Sequence, residues 1–180
     1  METATLAGGC FWCTEAIFKR LKGVTSVVPG YSGGQKENPS YEEVCSGTTG
    51  HAETIQIAFD PKIISYEKIL EVFFHLHDPT TPNQQGADIG EQYRSEIFYH
   101  SEKQKETAEK LKETLEKSGA YSKPIVTKIT PFTNFYVAED YHKNYYDRNK
   151  TAGYCQIIID PKIQKLLINY KEDVKEEYRR

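Results

Sequence analysis

Between Glu53 and Phe59 the chain alternates, with Glu53, Ile55, Ile57 and Phe59 on one face and Thr54, Gln56 and Ala58 on the other. A period of two predicts a strand, and Asp60-Pro61 stops it. Helical spacing follows. Ile69, Leu70, Phe73 and Phe74 make a buried stripe on a helix predicted from Tyr66 to about His75, with Ser65 as its N-cap. Ser101 with Gln104 fits a capping box for a more polar helix to about Lys117, closed by Ser118-Gly119. A last helix is predicted from Asp160 onward, carrying Ile163, Leu166, Leu167, Tyr170 and Val174.

Shorter runs fill in the rest. Strands are predicted at Thr3–Ala7, at Val24–Val28 (ended by Pro29-Gly30), at Arg94–His100 and at Ile125–Ile129. A helix is predicted from Trp12 to Lys22 and one helical turn from Tyr41 to Val44. Asp78–Gln92 reads as a loop, long enough to suggest a functional role. Ala138–Asn149 is a short aromatic, polar segment and Thr151–Cys155 another loop. Strands interleaved with helical crossovers imply an α/β (α+β) fold, a mixed sheet layered against helices.

The 180 residues fit a single domain, 1–180. Thirteen tyrosines suit a polar-lined pocket as well as a core. A net charge of −3 gives no basic face for nucleic acid. No apolar run approaches the roughly 20 residues that span a bilayer, and Met1–Thr5 lacks the basic start of a signal peptide. The four cysteines are then expected as thiols in a reducing compartment, the cytoplasm.

Chemistry concentrates at Gly8-Gly9-Cys10-Phe11-Trp12-Cys13, where a strand turns into a helix. Cys10 on the first helical turn is expected to be more acidic than a free thiol, with Phe11 and Trp12 as apolar surface beside it. Cys10 and Cys13 form the Cys-x-x-Cys of redox dithiols, which is also half of a zinc site. The other half is missing as a pair: Cys45, Cys155, His51 and His142 are singletons. Cys13 either takes part in the chemistry or faces the core. Glu53 shares a face with three apolar residues, so it is either a desolvated proton donor or an exposed strand end. Tyr41, Tyr93 and Asp88 lie in or beside glycine- and proline-containing loops; the tyrosines are donors or core, and Asp88 is functional or a turn residue. Cys45 reads as a buried small side chain, and Cys155 as a thiol on a mobile segment able to swing onto an oxidised Cys10. His51 as a base for Cys10 would make a cysteine hydrolase, for which no acyl pocket is apparent.

Six ordered segments resemble the signature of peptide methionine sulfoxide reductase A: Gly9-Cys10-Phe11-Trp12, Gly30–Gly34, Asn38–Cys45, Gly50-His51-Ala52-Glu53, Gln92–Ser95 and Ala138–His142. The resemblance covers roughly residues 5–155. It implies a two-layer sandwich with a ferredoxin-like core at about 3–155, and residues 156–180 as an added extension. It also implies thiol-dependent reduction of methionine S-sulfoxide, free or in proteins, by a monomer that binds no cofactor or metal. Cys10 would be the nucleophile, with Phe11 and Trp12 receiving the sulfoxide methyl. Glu53 would protonate the sulfoxide oxygen, Tyr41 and Tyr93 would hydrogen-bond it, and Asp88 would act through water. Cys10 would become a sulfenic acid, then a disulfide with Cys155 or, alternatively, with Cys13, reduced in turn by thioredoxin or another dithiol. Many relatives carry glycine where this chain has Cys13. The alternatives are a general dithiol–disulfide oxidoreductase using Cys10 and Cys13, and a non-enzymatic zinc- or peptide-binding module.

Overall fold

The computed structural model describes residues 1–180. In chain order the elements are β1 (Glu2–Gly8), α1 (Phe11–Phe18), β2 (Val24–Ser32), α2 (Tyr41–Cys45), β3 (Ala52–Phe59), α3 (Tyr66–Leu76), β4 (Gln84–Gln85) and β5 (Asp88–Ile89). They continue with β6 (Ser95–Tyr99), α4 (Glu102–Lys117), β7 (Lys128–Pro131), β8 (Tyr136–Val137), α5 (Tyr145–Arg148) and α6 (Asp160–Asn169). No helix is long and apolar enough to cross a membrane.

The main sheet runs β7-β6-β1-β3-β2-β8. Its four long strands stand in the order β6-β1-β3-β2, each antiparallel to its neighbour. That is a ferredoxin-like arrangement, with α1 and α3 as the two crossovers. β7 extends one edge in parallel with β6, and β8 caps the other. The alternation read in β3 decides the layers. Ile55 and Ile57 pair with Leu6 and Ala4, and this face packs against Ile17 and Phe18 of α1, Ile69 and Phe73 of α3, Ala108 of α4 and Leu166 of α6. On the opposite face Phe98 and Ala7 lie under Phe132, and Thr5 shares a hydrogen bond of 2.8 Å with His100.

Local signals set several ends. Ser65 and Ser101 accept N–H bonds from Lys68 and Gln104, as their capping roles predict. Ser40 and Glu43 complete a full capping box on α2. Other boundaries differ from expectation because distant pairing overrides local chemistry. β2 does not stop at Pro29-Gly30: Pro29 pairs with Ile55, and the strand runs on to Ser32. The proline is tolerated near an edge strand, where its carbonyl still accepts from the Ala138 N–H. Gly30 marks a close approach, since a Cβ there would run into the Phe135 ring. β7 starts at Lys128 rather than Ile125, because Val126 is drawn to the carbonyl of Pro79. α1 ends at Phe18, short of Lys22.

The carboxy-terminal segment differs most. The region expected as a loop ending at Cys155 is already helical: a π-helical turn spans Cys155–Ile159 and runs into α6. Pro161 lacks the N–H that a regular helix needs there, and the wider turn absorbs the break. Leu166, Tyr170 and Val174 are buried in the main core. The chain beyond is tied to the end of α1, with Lys22 N–H donating to Asp173 and Lys175 N–H to Arg20. The Arg20 guanidinium lies over the rings of Tyr146 and Tyr178.

Candidate active site

The turn from β1 into α1 is made by two glycines with different tasks. Gly9 has φ +88° and lies against the Gln85 side chain, whereas a Cβ on Gly8 would meet the Phe73 ring at 2.8 Å. Cys10 then occupies the N-cap with extended backbone, and its carbonyl accepts from the Cys13 N–H. The first N–H of α1, that of Phe11, is aimed at Glu53 Oε2 at 3.0 Å. The Glu53 carboxyl, not the Cys10 thiol, therefore accepts from the first N–H of this helix.

Glu53 is 2 % exposed and belongs to none of the ion pairs. It is not an exposed strand end. Burial raises its carboxyl to about 8, with the Phe11 N–H opposing and the charges of Asp88 and Cys13 adding to the rise. It is a carboxylic acid near neutral pH, able to give a proton.

Cys10 corrects one expectation. Its thiol is raised, not lowered: burial comes first, then a hydrogen bond to Cys13 and the negative charge of Glu53. Cys13 moves the other way, to about 7, chiefly because Cys10 donates to it, with burial opposing and the Lys162 charge helping. The acidic member of the Cys-x-x-Cys is the inner one.

Around this pair the structure gathers the other residues singled out in the sequence. Tyr41 and Tyr93 face the Glu53 charge, and burial keeps both phenols protonated and so able to donate. The long loop contains a hairpin, β4–β5, that delivers Asp88. Asp88 accepts from the Tyr154 hydroxyl at 2.7 Å, and the same hydroxyl lies 3.7 Å from Cys13 Sγ. Phe11 is fully buried and Trp12 half-buried. Cys155 does not stand on an open loop but in the π-helical turn. It is fully buried, and one apolar cluster contains Cys10, Cys13, Ala16, Cys155, Ile159 and Ile163. Cys45, expected to be buried, is exposed at the end of α2, close to Tyr41. His51 is committed elsewhere, accepting from the Gly34 N–H at 3.1 Å and bonding the Lys36 carbonyl at 2.7 Å. No group of three or more His, Cys, Asp or Glu side chains is arranged to hold a metal ion.

Sequence reasoning missed what holds Trp12. Its indole N–H donates to His142 Nδ1 at 3.0 Å, so the His142 proton sits on Nε2, a buried atom without a partner. Tyr145 stacks on the indole at 3.7 Å between centroids, and Tyr154 meets it edge-on. Glu139 accepts from the Tyr31 hydroxyl and the Tyr41 N–H, tying this segment to α2. The aromatic density of Ala138–Asn149 was the available signal, but nothing local says where those rings dock.

Comparison with known proteins agrees with this geometry. The family described as peptide methionine sulfoxide reductase matches residues 2–175. The chain belongs to that family. Peptide methionine sulfoxide reductase MsrA of Sulfolobus acidocaldarius is 58% identical, over 96% of this chain and 97% of the relative. Among solved structures, reduced Mxr1 from Saccharomyces cerevisiae is similar with TM-score 0.78 and 38% identity, over 86% of this chain and 88% of that one. Mxr1 in complex with Trx2 is similar with TM-score 0.55 and 28% identity, over 80% and 84%. The protein is thus an oxidoreductase that reduces methionine sulfoxide at the expense of thiols.

Proposed function

We propose that Cys10 attacks the sulfoxide sulfur of methionine S-sulfoxide, free or within a protein, while Glu53 protonates the sulfoxide oxygen. The observation that carries this reading is Glu53 itself, an unpaired buried carboxyl raised to about 8 and bonded to the backbone of the residue after Cys10. A sulfoxide oxygen gains negative charge as a thiolate attacks, so a protonated acid and two oriented phenols suit the moment of reaction. Tyr41 and Tyr93 are those phenols. Asp88 orders the far side through Tyr154 and through water, and Phe11 and Trp12 receive the S-methyl group.

Methionine leaves and Cys10 becomes a sulfenic acid: the oxygen passes to Cys10, whose sulfur is oxidised as the substrate sulfur is reduced. A second thiol then attacks the Cys10 sulfur, and water departs. Cys13 is favoured as the first partner. It lies in the same buried cluster as Cys10, three positions along from the N-cap of α1, the spacing of Cys-x-x-Cys redox disulfides. Cys155 is packed against the same cluster within a π-helical turn, suited to take over the disulfide after local unwinding. A thioredoxin-type dithiol then restores the thiols, a reading supported by the Trx2 complex of the yeast relative. No bound cofactor is needed, the monomer is sufficient, and a reducing compartment such as the cytoplasm suits the thiols.

The test is one turnover of reduced protein with methionine S-sulfoxide, quenched by alkylation and mapped by mass. Methionine release with loss of two thiols and a Cys10–Cys13 link is expected. A Cys10–Cys155 link as the first product would reverse the order of the two partners. No methionine released would leave only a general disulfide exchanger.

A further inference from the structure

The aromatic side of the site continues outward as a line of rings. The buried His142 ring lies 4.9 Å from Phe11 and 4.6 Å from Tyr41, centroid to centroid, and Tyr141 packs on it at 4.1 Å. Phe11 and His142 are closed to solvent, whereas Tyr141 is 51% exposed. A ring left open beside a reactive pocket offers its face to whatever arrives with the substrate, and the electron-rich face favours a cation.

The charges around that ring agree in sign. The Tyr141 hydroxyl donates to Glu139 at 3.4 Å, and Glu139 also accepts from the Tyr41 N–H and the Tyr31 hydroxyl, each at 3.0 Å. Glu42 follows Tyr41 on α2 and is exposed. Neither Glu139 nor Glu42 belongs to an ion pair. The cations on these segments are committed elsewhere: Lys36 to Glu43 at 3.3 Å, Lys143 to Asp140 at 3.6 Å, and Arg148 to the carbonyls of Asp140 and Tyr141. Burial first, then the charges of Glu139 and Glu42, raise the Tyr141 phenol, in keeping with two carboxylates beside it. Glu139 also borders an open groove with Pro39, Ser40, Phe135 and Val137, which gives an extended chain room to leave the site.

We propose that Tyr141, Glu139 and Glu42 form an outer subsite for a lysine or arginine side chain that neighbours the sulfoxide in a polypeptide. The substrate class it selects is protein-bound methionine S-sulfoxide flanked by basic residues. The inference rests on the sulfoxide pocket at Cys10. A cation over an exposed ring gains about two- to fivefold in affinity. The two unpaired carboxylates add an attraction that a neutral neighbour does not feel and that an acidic neighbour meets as repulsion. A sulfoxide without flanking side chains does not reach the subsite, so the preference acts among polypeptide substrates only.

The test is kcat/KM of the full chain, with dithiothreitol as reductant, on blocked tripeptides that carry methionine S-sulfoxide between two Lys, two Gln or two Glu residues. The reference substrate is N-acetyl-methionine S-sulfoxide methylamide, which has neither charge nor flanking side chains. In the wild type the Lys peptide is expected about fivefold above the Gln peptide and the Glu peptide about fivefold below it, the difference lying in KM. Glu42→Lys offsets the charge of Glu139 and should bring the Lys and Glu peptides within about twofold of each other. Tyr141→Leu should lower the Lys peptide by about two- to fivefold and leave the Gln peptide in place. Both side chains are exposed, so both variants should turn over the blocked amide at the wild-type rate. Equal values for the three peptides in the wild type would overturn the subsite. A wild-type preference kept in either variant would remove that residue from it. A loss of equal size on the blocked amide would make the residue a structural one and overturn its role in selection. No methionine from the blocked amide in the wild type would instead remove the underlying reading of the pocket.

Discussion

Two carboxylates are buried on opposite faces of the same sheet, and they are treated in opposite ways. Glu96 on β6 faces the side without the helical core. Arg94 Nε donates to it at 2.7 Å and Thr130 to its other oxygen at 2.9 Å. Glu53 on β3 faces the helices and has one backbone N–H and no cation. A buried ion with a cation and a donor on each of its oxygens contributes to the fold and has little left to give a substrate. A buried acid left short of partners keeps its proton, and near an attacking thiol it has a use for it. The difference separates a structural region from a reactive one without reference to any relative.

Exchanging Glu53 for its amide breaks the comparison most directly. Glu53→Gln is expected to lower turnover by about 10²- to 10⁴-fold, the range of a lost general acid. Its effect on stability should run the other way. The folded carboxyl, at about 8, binds its proton more tightly than an unfolded one. The stability this confers is present in acid and is lost as pH rises toward about 8. The glutamine cannot ionise, so thermal unfolding should show the variant gaining on the wild type from pH 5 to pH 9. The gain should reach a few kcal/mol, since each tenfold difference in proton affinity between the folded and unfolded chain is worth about 1.4 kcal/mol. A variant that loses stability at pH 9 would place Glu53 with Glu96.

Glu96→Ala should do the reverse. It strands the Arg94 guanidinium, 8% exposed, without its partner, at a cost of about 3–5 kcal/mol in denaturant unfolding. The kcat of the fraction that stays folded should be unchanged. Replacing Arg94 and Glu96 together by apolar residues of similar volume should recover most of the loss, because the unpaired charge disappears with its partner.

The residues that make this contrast are unequally legible in the sequence. Glu53 stands out because period-two alternation puts a carboxylate among isoleucines, a purely local signal. Ser65 and Ser101 are also local, and their helices start where the capping pattern places them. Glu96 is silent, since its meaning depends on Arg94 and on Thr130, a residue 34 positions away on a parallel neighbour. Cys10 is legible as a site but not in its charge. A helix end does favour an anion, yet Glu53 occupies this one, and only the register of β3 against β1 says so. Cys155 is obscured for the mirror-image reason. Asp160-Pro161 looks like a helix start, and the π-helical turn before it cannot be foreseen from a proline. His142 needs the docking of Trp12 to acquire a role.

The smallest expected effect is the control that keeps stability and activity apart. Ser65 caps α3 at the end away from the site, accepting from the Lys68 N–H at 3.0 Å. The other end of α3 carries Phe73 and His77, which lie directly under Gly8. Ser65→Ala should cost about 1 kcal/mol, seen as a lower urea midpoint with an unchanged slope. Eleven residues of helix, packed by Ile69, Leu70 and Phe73, separate the lost cap from that glycine, so turnover at 25 °C should match the wild type. A drop in turnover without unfolding would mean that α3 transmits strain from its cap to the β1–α1 turn. The reactive region would then draw on the whole core for its geometry, and the division between the two buried acids would be one of degree.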